Sequence, residues 1–314
     1  MAKVLVTGCS GFIGSSLCHF LLQCGYHVIG IDIFKPNYDR WIKERNLEHL
    51  KQFNRFRFLE SDLAKCQFKP FIQDVDYIFH LAAIPGVRTS WGANFKEYVE
   101  NNILTTQTLL DTVQNSSVKK IVYASSSSVY GGMTGPTDEQ QIPQPISPYG
   151  VTKLSAEHLC QLYVRNFQVP VVSLRYFTVF GPRQRPDMAF HKMIYRILQE
   201  RPITIFGDGE QSRDFTFIED VVAANLAAIE SSHIGEIFNI GGMSRLSINE
   251  VIQIIEKYTG KKAKRQHLPE QPGDPKHTWA NITKAKSMLN YNPQFDLEKG
   301  IYLQIQDIKN LYNL

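Results

Sequence analysis

The sequence predicts an α/β protein with a doubly wound parallel sheet and a smaller mixed α/β lobe beside it. Six short apolar segments typical of buried parallel strands occur in the first part of the chain, and helical patterns lie between them. Regular alternation of these two patterns indicates a sheet covered by helices on both faces. The second part has shorter elements separated by Pro and Gly, which indicates a different, smaller architecture.

The predicted elements follow in an order that supports this fold. The strands are residues 4–6, 28–31, 56–59, 77–81, 121–124 and 171–174. The helices between them include residues 13–22, 94–113 and 148–167, and a short helix is predicted at 248–258. Pro and Gly cluster at 181–182, 207–209 and 269–275. We therefore predict a cofactor-binding domain over residues 1–178, to which 214–240 return, and a substrate-binding lobe over 179–314.

The composition is that of an ordinary globular protein. The 314 residues are 43% hydrophobic and 20% charged, with a formal net charge of +4. This small excess of positive charge suits an acidic ligand. The basic run at 261–265 is interpreted as a solvated turn, so no nucleic-acid partner is expected. Five cysteines without a C-x-x-C pattern fit reduced cytoplasmic thiols better than disulfides or a metal site. A strand begins at once and no apolar run is long enough to span a membrane, so neither a signal peptide nor a membrane partner is expected.

Three glycines between the first strand and the first helix indicate a dinucleotide loop. Gly8, Gly11 and Gly14 let the backbone approach a pyrophosphate, to which the helix N-terminus offers oriented N–H groups. Their spacing is G-x-x-G-x-x-G, which departs from the standard fingerprint G-x-G-x-x-G. The loop alone therefore leaves a tight structural turn as an alternative.

An acidic residue at the end of the second strand favours the cofactor interpretation. Asp32 is placed to bind both ribose hydroxyls of an adenosine. A 2′-phosphate there would meet like charge, so NAD is preferred over NADP, although Lys35, Arg40 and Lys43 are close in sequence. Asp62, after the third strand, is either an adenine contact or the start of a turn.

Tyr149 and Lys153 form a Tyr-x-x-x-Lys pair on the predicted helix 148–167. Four residues make about one helical turn, so both side chains project from the same face. A phenol has a reference pKa of about 10, and a neighbouring ammonium favours the phenolate and makes it a better base. The run of serines from Ser125 to Ser128 lies at a strand end between the glycine loop and this pair. Together these features predict an acid–base site beside a dinucleotide.

Several segments resemble the extended short-chain dehydrogenase/reductase family, and in particular its nucleotide-sugar epimerases. These segments are TGCSGFIG at 7–14, HLAA at 80–83, ASSSSVYG at 124–131, SPYGVTK at 147–153, LRYF at 174–177, FGDG at 206–209 and SRDF at 212–215. The segments occur in the family's order. The resemblance implies a Rossmann-type NAD-binding domain and a UDP-sugar substrate.

Two further segments resemble UDP-glucuronate 4-epimerases. They are IPGVRTS at 84–90 and RYFTVFGPRQRPDMA at 175–189. UDP-galactose 4-epimerases carry asparagine where Thr178 stands. A substrate with a C6 carboxylate needs hydroxyl donors and a cation, and Thr178, Ser127, Ser128 and Arg185 supply them. For the two serines, hydrogen bonding to the backbone at the strand end is a competing interpretation.

The resemblance also implies roles for individual residues. The implied catalytic residues are Tyr149, Lys153 and Ser126. The implied cofactor contacts are Gly8, Gly11, Phe12, Ile13, Gly14, Asp32, Asp62, Leu63, Leu81, Ala82, Ala83, Ala124, Tyr149, Lys153 and Tyr176. The implied substrate contacts are Pro85, Gly86, Arg88, Ser126, Ser127, Ser128, Thr178, Arg185, Phe206, Arg213 and Asp274. Many relatives have an arginine where this chain has Gln271, and Arg88 is expected to replace that charge at the diphosphate.

The implied reaction is C4 epimerisation through a 4-keto sugar. Tyr149 removes the C4 hydroxyl proton while hydride leaves for the nicotinamide; the ketose then turns over, and hydride returns to the other face. A UDP-glucuronate decarboxylase is the nearest competing reading, although relatives of that kind have a glutamate where Ser128 stands. A neutral UDP-hexose 4-epimerase comes next, and a non-catalytic dinucleotide sensor is the most remote. The resemblance further implies a homodimer that forms a four-helix interface from 94–113 and 148–167.

Overall fold

The computed structural model describes residues 2–132 and 135–314 and contains three sheets. Its strands are β1 (Lys3–Thr7), β2 (His27–Asp32), β3 (Phe56–Glu60), β4 (Tyr77–His80), β5 (Lys120–Ser126), β6 (Val171–Tyr176), β7 (Thr178–Phe180), β8 (Ile203–Phe206), β9 (Ser212–Phe217), β10 (Ile237–Ile240), β11 (Ser244–Ser247) and β12 (Arg265–Leu268). Seven of them form a parallel sheet in the order β10-β6-β5-β4-β1-β2-β3. The chain winds outward from β1 in both directions, which places a crevice at the carboxyl ends of β1 and β4.

Helices cover the faces of this sheet and build much of the second lobe. They are α1 (Phe12–Gln23), α2 (Arg40–Lys51), α3 (Phe95–Tyr98), α4 (Thr105–Val113), α5 (Pro148–Phe167), α6 (Ala189–Leu198), α7 (Ile218–Glu230), α8 (Ile248–Thr259), α9 (Thr283–Leu289) and α10 (Leu297–Tyr312). Between α3 and α4, residues Val99–Leu104 form a π-helical segment. The predicted doubly wound α/β fold is confirmed, and its six predicted strands correspond to β1–β6.

Burial on both faces of the sheet explains why its strands are continuously apolar. Val4 and Val6 belong to one hydrophobic cluster, whereas Leu5 between them belongs to the other. Successive side chains of a strand point to opposite faces, so a strand covered on both sides needs apolar residues at every position. The six residues of β6 are all buried for this reason.

The second lobe contains the two smaller sheets. Strand β9 pairs antiparallel with β11 and parallel with β7, and β8 pairs parallel with β12. After β9 the chain returns to the large sheet, where α7 lies against α1 and β10 pairs with β6. In the part of the chain that the structure describes, no helix is both long enough and apolar enough to cross a bilayer.

Candidate active site

A cavity of about 1160 Å³ lies at the carboxyl edge of the seven-stranded sheet, between that sheet and the second lobe. Every residue that the sequence predicted to bind cofactor or substrate lines it. Pockets for one small ligand typically measure about 300–1,000 Å³, so this cavity is larger than the usual pocket for a single ligand. The fold therefore brings the predicted residues together, and their contacts show what each one can do.

The glycine loop is fixed by close backbone contacts. Gly8 has a φ of +74°, a left-handed conformation that favours glycine. A Cβ atom at Gly14 would lie 2.1 Å from the carbonyl oxygen of Gly8, so only glycine allows α1 to begin this close to the loop. Gly11 directly precedes α1, whose first residues line the cavity and whose first N–H groups have no partner within the helix. This shape suits a pyrophosphate, as the sequence predicted.

Asp32 holds the same loop from the end of β2. Its Oδ2 accepts hydrogen bonds from the backbone N–H and the hydroxyl of Ser10, at 2.8 and 2.6 Å. Burial raises the pKa of the Asp32 carboxyl, and the hydrogen bonds from Ser10 partly oppose this rise. Asp32 therefore ties the loop to β2 and remains on the cavity wall, where a ribose would meet it. The sequence did not reveal the role of Ser10, because a serine inside the glycine loop has no distinguishing pattern.

The three cations near Asp32 are already engaged. Lys35 donates to Glu97 at 3.1 Å, and Arg40 donates to Glu44 at 2.7 Å. The ammonium of the buried Lys43 donates to the Lys35 carbonyl at 2.7 Å and to Asn37 at 2.8 Å. A 2′-phosphate would have to displace these partners, so the surroundings of Asp32 fit NAD better than NADP.

Asp62 both lines the cavity and starts a turn. Its Oδ1 accepts a hydrogen bond from the backbone N–H of Ala64 at 3.1 Å. Both interpretations of this residue, an adenine contact and a turn, thus have structural support.

The start of α5 packs closely against the residues after β5, and Gly150 makes this close packing possible. Ser147 caps α5 by accepting from the N–H of Gly150 at 3.1 Å, and Pro148 occupies the first turn. A Cβ atom at Gly150 would lie 2.4 Å from the Ser128 carbonyl oxygen. Glycine next to Tyr149 therefore lets the helix approach the serine run, and this approach places Tyr149 beside Ser126.

Ser126 and Tyr149 face each other at this junction. The Ser126 hydroxyl oxygen accepts a hydrogen bond from the Ser128 N–H at 3.1 Å, which leaves its proton to donate elsewhere. Burial raises the pKa of the Tyr149 phenol, while a hydrogen bond with Ser126 and the positive charge of Arg185 act to lower it. Burial is the larger effect, so the pKa of the phenol lies above its usual value, and Ser126 and Arg185 oppose this rise.

Lys153 lies one turn further along α5 and is buried. Its ammonium donates to the Ala124 carbonyl at 2.7 Å, and burial lowers its pKa to about 8. The sequence led us to expect that Lys153 lowers the pKa of Tyr149. In this structure the pKa of Tyr149 is raised, and Arg185 is the cation whose charge acts to lower it. The Lys153 ammonium instead contacts the carbonyl oxygen of Ala124 near the end of β5.

Tyr98 and Asn102 shape the site although the sequence did not single them out. The Tyr98 hydroxyl donates to the carbonyl oxygens of Pro85 and Gly86, both at 3.0 Å, and its ring packs edge-on to Tyr149 with centroids 6.3 Å apart. Asn102, within the π-helical segment, donates to the Ile84 carbonyl at 3.0 Å and accepts from its N–H at 2.7 Å. Both side chains therefore fix the loop after β4 that was predicted to contact the substrate.

Three hydroxyl groups in the predicted carboxylate subsite are open. Ser127, Ser128 and Thr178 line the cavity, and within residues 2–132 and 135–314 their hydroxyls form no hydrogen bond. The competing interpretation of the two serines, hydrogen bonding of their side chains to the strand end, is therefore not observed. These three donors can serve a ligand.

The arginines of the substrate half are paired within the protein. Arg88 donates to Asp274 at 2.9 Å through Nε and at 2.5 Å through Nη2, and it lies 4.0 Å from the centre of the Phe206 ring. Arg213 donates to the carbonyl oxygens of Ser212 and Lys276. Three of the predicted substrate contacts, Arg88, Phe206 and Asp274, thus contact one another on the cavity wall.

Arg185 and Tyr176 complete the wall of the cavity near Tyr149. Arg185 donates to both carboxylate oxygens of Asp187, at 2.9 and 2.8 Å. Tyr176, predicted to contact the cofactor, is buried, and its hydroxyl donates to Asn225 at 2.9 Å. Asp187 is a partner that the sequence analysis did not consider, although it is only two residues from Arg185.

Comparisons with known proteins agree with this geometry. The model of the NAD dependent epimerase/dehydratase family matches residues 4–241. The Bacillus subtilis (strain 168) protein called uncharacterized UDP-glucose epimerase YtcB is 47% identical over 312 residues, which cover 99% of each chain. The UDP-glucuronate 4-epimerase of Thermodesulfobacterium geofontis is 41% identical over 306 residues, which cover 96% of this chain and 94% of the relative.

A solved structure is similar over the whole chain. It is the UDP-glucuronic acid 4-epimerase of Bacillus cereus in complex with UDP-glucuronic acid and NAD, with a TM-score of 0.97 and 49% sequence identity. The match covers 99% of this chain and 100% of the other. The match to the family model and the extent of these similarities show that the chain belongs to the NAD dependent epimerase/dehydratase family, as the sequence predicted.

Proposed function

We propose that this protein is an NAD-dependent UDP-glucuronate 4-epimerase that interconverts UDP-glucuronate and UDP-galacturonate. One observation carries the proposal: an acid–base pair, Tyr149 with Ser126, lies in the same cavity as three open hydroxyls and Arg185. Tyr149 and Ser126 suit proton removal at C4, and the three hydroxyls with Arg185 suit binding of a carboxylate at C6. The similarity to the Bacillus cereus enzyme, solved with UDP-glucuronic acid, supports the same assignment.

The cofactor half of the cavity fits NAD. The loop from Gly8 to Gly14 would hold the pyrophosphate, Asp32 the adenosine ribose, and the Tyr176 side the nicotinamide. When bound, NAD accepts hydride from C4 and returns it to the opposite face of the sugar. Since this cycle leaves the cofactor unchanged, we expect NAD to remain bound between turnovers.

The protein side chains transfer one proton, that of the C4 hydroxyl. Tyr149 takes the proton of the C4 hydroxyl and returns it at the end of the cycle, while Ser126 donates a hydrogen bond to the sugar oxygen. Lys153, whose ammonium contacts the end of β5, holds the catalytic strand and helix together and keeps a positive charge near the reaction. Arg185 favours the phenolate from the other side.

The carboxylate subsite protects the intermediate. A 4-keto uronic acid is a β-keto acid and loses carbon dioxide easily when its carboxylate aligns with the ketone. We propose that Thr178, Ser127, Ser128 and Arg185 hold the carboxylate out of that alignment. Decarboxylase activity is disfavoured, since this chain has Ser128 where UDP-glucuronate decarboxylases have a glutamate.

A neutral UDP-hexose 4-epimerase is the second candidate, and one contact favours it. Arg185 already has a carboxylate partner in Asp187, so a neutral sugar would not leave this partly buried cation unpaired. The name of the 47% identical Bacillus subtilis relative, a UDP-glucose epimerase, points the same way.

We further propose that the protein is a cytoplasmic homodimer. Four large apolar side chains on the π-helical segment and α5 are 42–52% exposed, and they are Leu104, Val151, Leu162 and Phe167. A face of this kind on two adjacent helices suits pairing with the same face of a second copy in a four-helix interface. Equilibrium sedimentation tests this, and a monomer mass at micromolar concentration would contradict it.

The proposed cytoplasmic location rests on the cysteines. Those that the structure describes are all free thiols, which supports a reducing compartment.

The decisive experiment is to incubate purified protein with UDP-glucuronate, without added cofactor, and to identify the nucleotide sugars formed. We expect UDP-galacturonate, with UDP-glucose converted less efficiently. Tyr149→Phe is the matched control, because it removes the proton acceptor and little volume; it should lower turnover by roughly 100- to 10,000-fold while UDP still binds. UDP-xylose as the main product, or equal efficiency on UDP-glucose, would contradict the proposal.

A further inference from the structure

The contact between Arg185 and Asp187 has consequences for how a sugar moves in this cavity. Arg185 donates through Nε to Oδ1 at 2.9 Å and through Nη2 to Oδ2 at 2.8 Å, so one edge of the guanidinium is fully used. The Arg185 side chain is 17% exposed and that of Asp187 39%, and both line the cavity. A partly buried cation thus has an exposed carboxylate partner that solvent and ligand can reach.

The other edge of the guanidinium is open. Arginine has five N–H donors, and in the chain outside positions 1, 133 and 134 Nη1 of Arg185 has no hydrogen-bond acceptor. A carboxylate at C6 of a sugar has the same chemistry as the side chain of Asp187. The two carboxylates can therefore share Arg185, or one can replace the other.

The reaction that we propose requires such an exchange. The 4-keto sugar must turn over between the two hydride transfers, and its carboxylate must then leave its first set of contacts. Arg185 without a carboxylate would be a partly buried, unpaired cation, which is unfavourable. With Asp187 in place, the guanidinium keeps one partner throughout the movement.

We propose that Asp187 is the exchange partner of Arg185: it neutralises the guanidinium whenever the substrate carboxylate is absent or moving, and so weakens uronate binding and speeds rotation of the intermediate. This inference rests on the proposed function. Asp187 is a positioning residue here, since it acts through Arg185. It also reduces discrimination against neutral hexoses, because Arg185 stays paired when the carboxylate is missing.

Binding without turnover gives the first test. In a Tyr149→Phe background, Asp187→Asn should bind UDP-glucuronate roughly tenfold more tightly in calorimetry, since Arg185 loses its competing charge. Binding of UDP alone should not change, because Arg88 pairs with Asp274 and Arg213 with backbone carbonyls, not with Asp187. Weaker or unchanged UDP-glucuronate binding with normal UDP binding overturns the inference.

Turnover gives the second test. Asp187→Asn alone should lower both KM and kcat for UDP-glucuronate by several fold and accumulate reduced nicotinamide in the steady state, whereas loss of a merely structural contact would raise KM. Asp187→Glu should restore the wild-type pattern in part, and Asp187→Ser serves as a second neutral variant should the amide fail to fold. If the wild-type protein does not convert UDP-glucuronate, the proposed function is refuted. The binding test does not depend on that result.

Discussion

The two ends of the cavity differ in how their polar groups are occupied. At the cofactor end the important contacts are between backbone atoms, such as Gly14 against Gly8, and the carboxylate of Asp32 holds the loop itself. At the substrate end the arginines that line the cavity are paired within the protein, as Arg185 is with Asp187. One end is therefore ready for its ligand by shape, whereas the other must exchange partners when a ligand binds.

This difference explains why the two ends should respond differently to mutation. A site defined by backbone contact tolerates almost no added volume, because the backbone cannot move without moving a helix. A site defined by ion pairs tolerates substitution. Its selectivity is the difference in free energy between the ion pairs formed within the protein and those formed with a ligand. Changes at the cofactor end should thus abolish function, and changes at the substrate end should alter preference.

The largest effect is expected from Gly14→Ala. Its Cβ would lie 2.1 Å from the Gly8 carbonyl oxygen, so α1 or the loop must shift, at a cost of about 1–3 kcal/mol in the free energy of unfolding. The purified variant should contain little or no NAD, and this is measured by denaturing it and assaying the released nucleotide. Gly132→Ala is the matched control, because a Cβ there meets no atom of the described residues within 4 Å. NAD content equal to wild type would show that the loop is not limited by shape.

An intermediate effect is expected from Arg185→Met. Loss of one charge-assisted contact should lower kcat/KM for UDP-glucuronate by roughly 10- to 100-fold, with a smaller loss on UDP-glucose. The positive charge of Arg185 lowers the pKa of Tyr149, so its removal raises that pKa, and the acidic limb of the activity profile should move to higher pH.

The double variant Arg185→Met, Asp187→Asn is the control for this experiment. It removes the carboxylate that would otherwise be left without its partner. We expect it to keep the selectivity change and to recover stability in a thermal melt. Equal losses on both sugars in both variants would mean that Arg185 supports the fold rather than the uronate contact.

The sequence was sufficient for the fold and for the cofactor end because both leave local patterns. Strands buried on both faces are apolar throughout, and Ser147 followed by Pro148 marks the start of α5. The pairing of Arg185 with Asp187 could not be predicted, because sequence separation does not determine where a side chain points. Tyr98, the last residue of α3, was missed for a similar reason: its contacts with Pro85 and Gly86 depend on tertiary packing, which residue propensity does not reveal.

The smallest effect is expected from Ser126→Ala, at the boundary between the two ends. The variant loses a hydrogen bond that lowers the pKa of Tyr149, so that pKa should rise and the acidic limb should move to higher pH. One neutral hydrogen bond contributes about 0.5–1.5 kcal/mol, which corresponds to a roughly 2- to 12-fold fall in kcat. Ser126→Thr keeps the hydroxyl and should retain most activity in the same assay. If threonine were as impaired as alanine, the hydroxyl would not be the group that matters, and the shape of the β5 end would have to explain the loss.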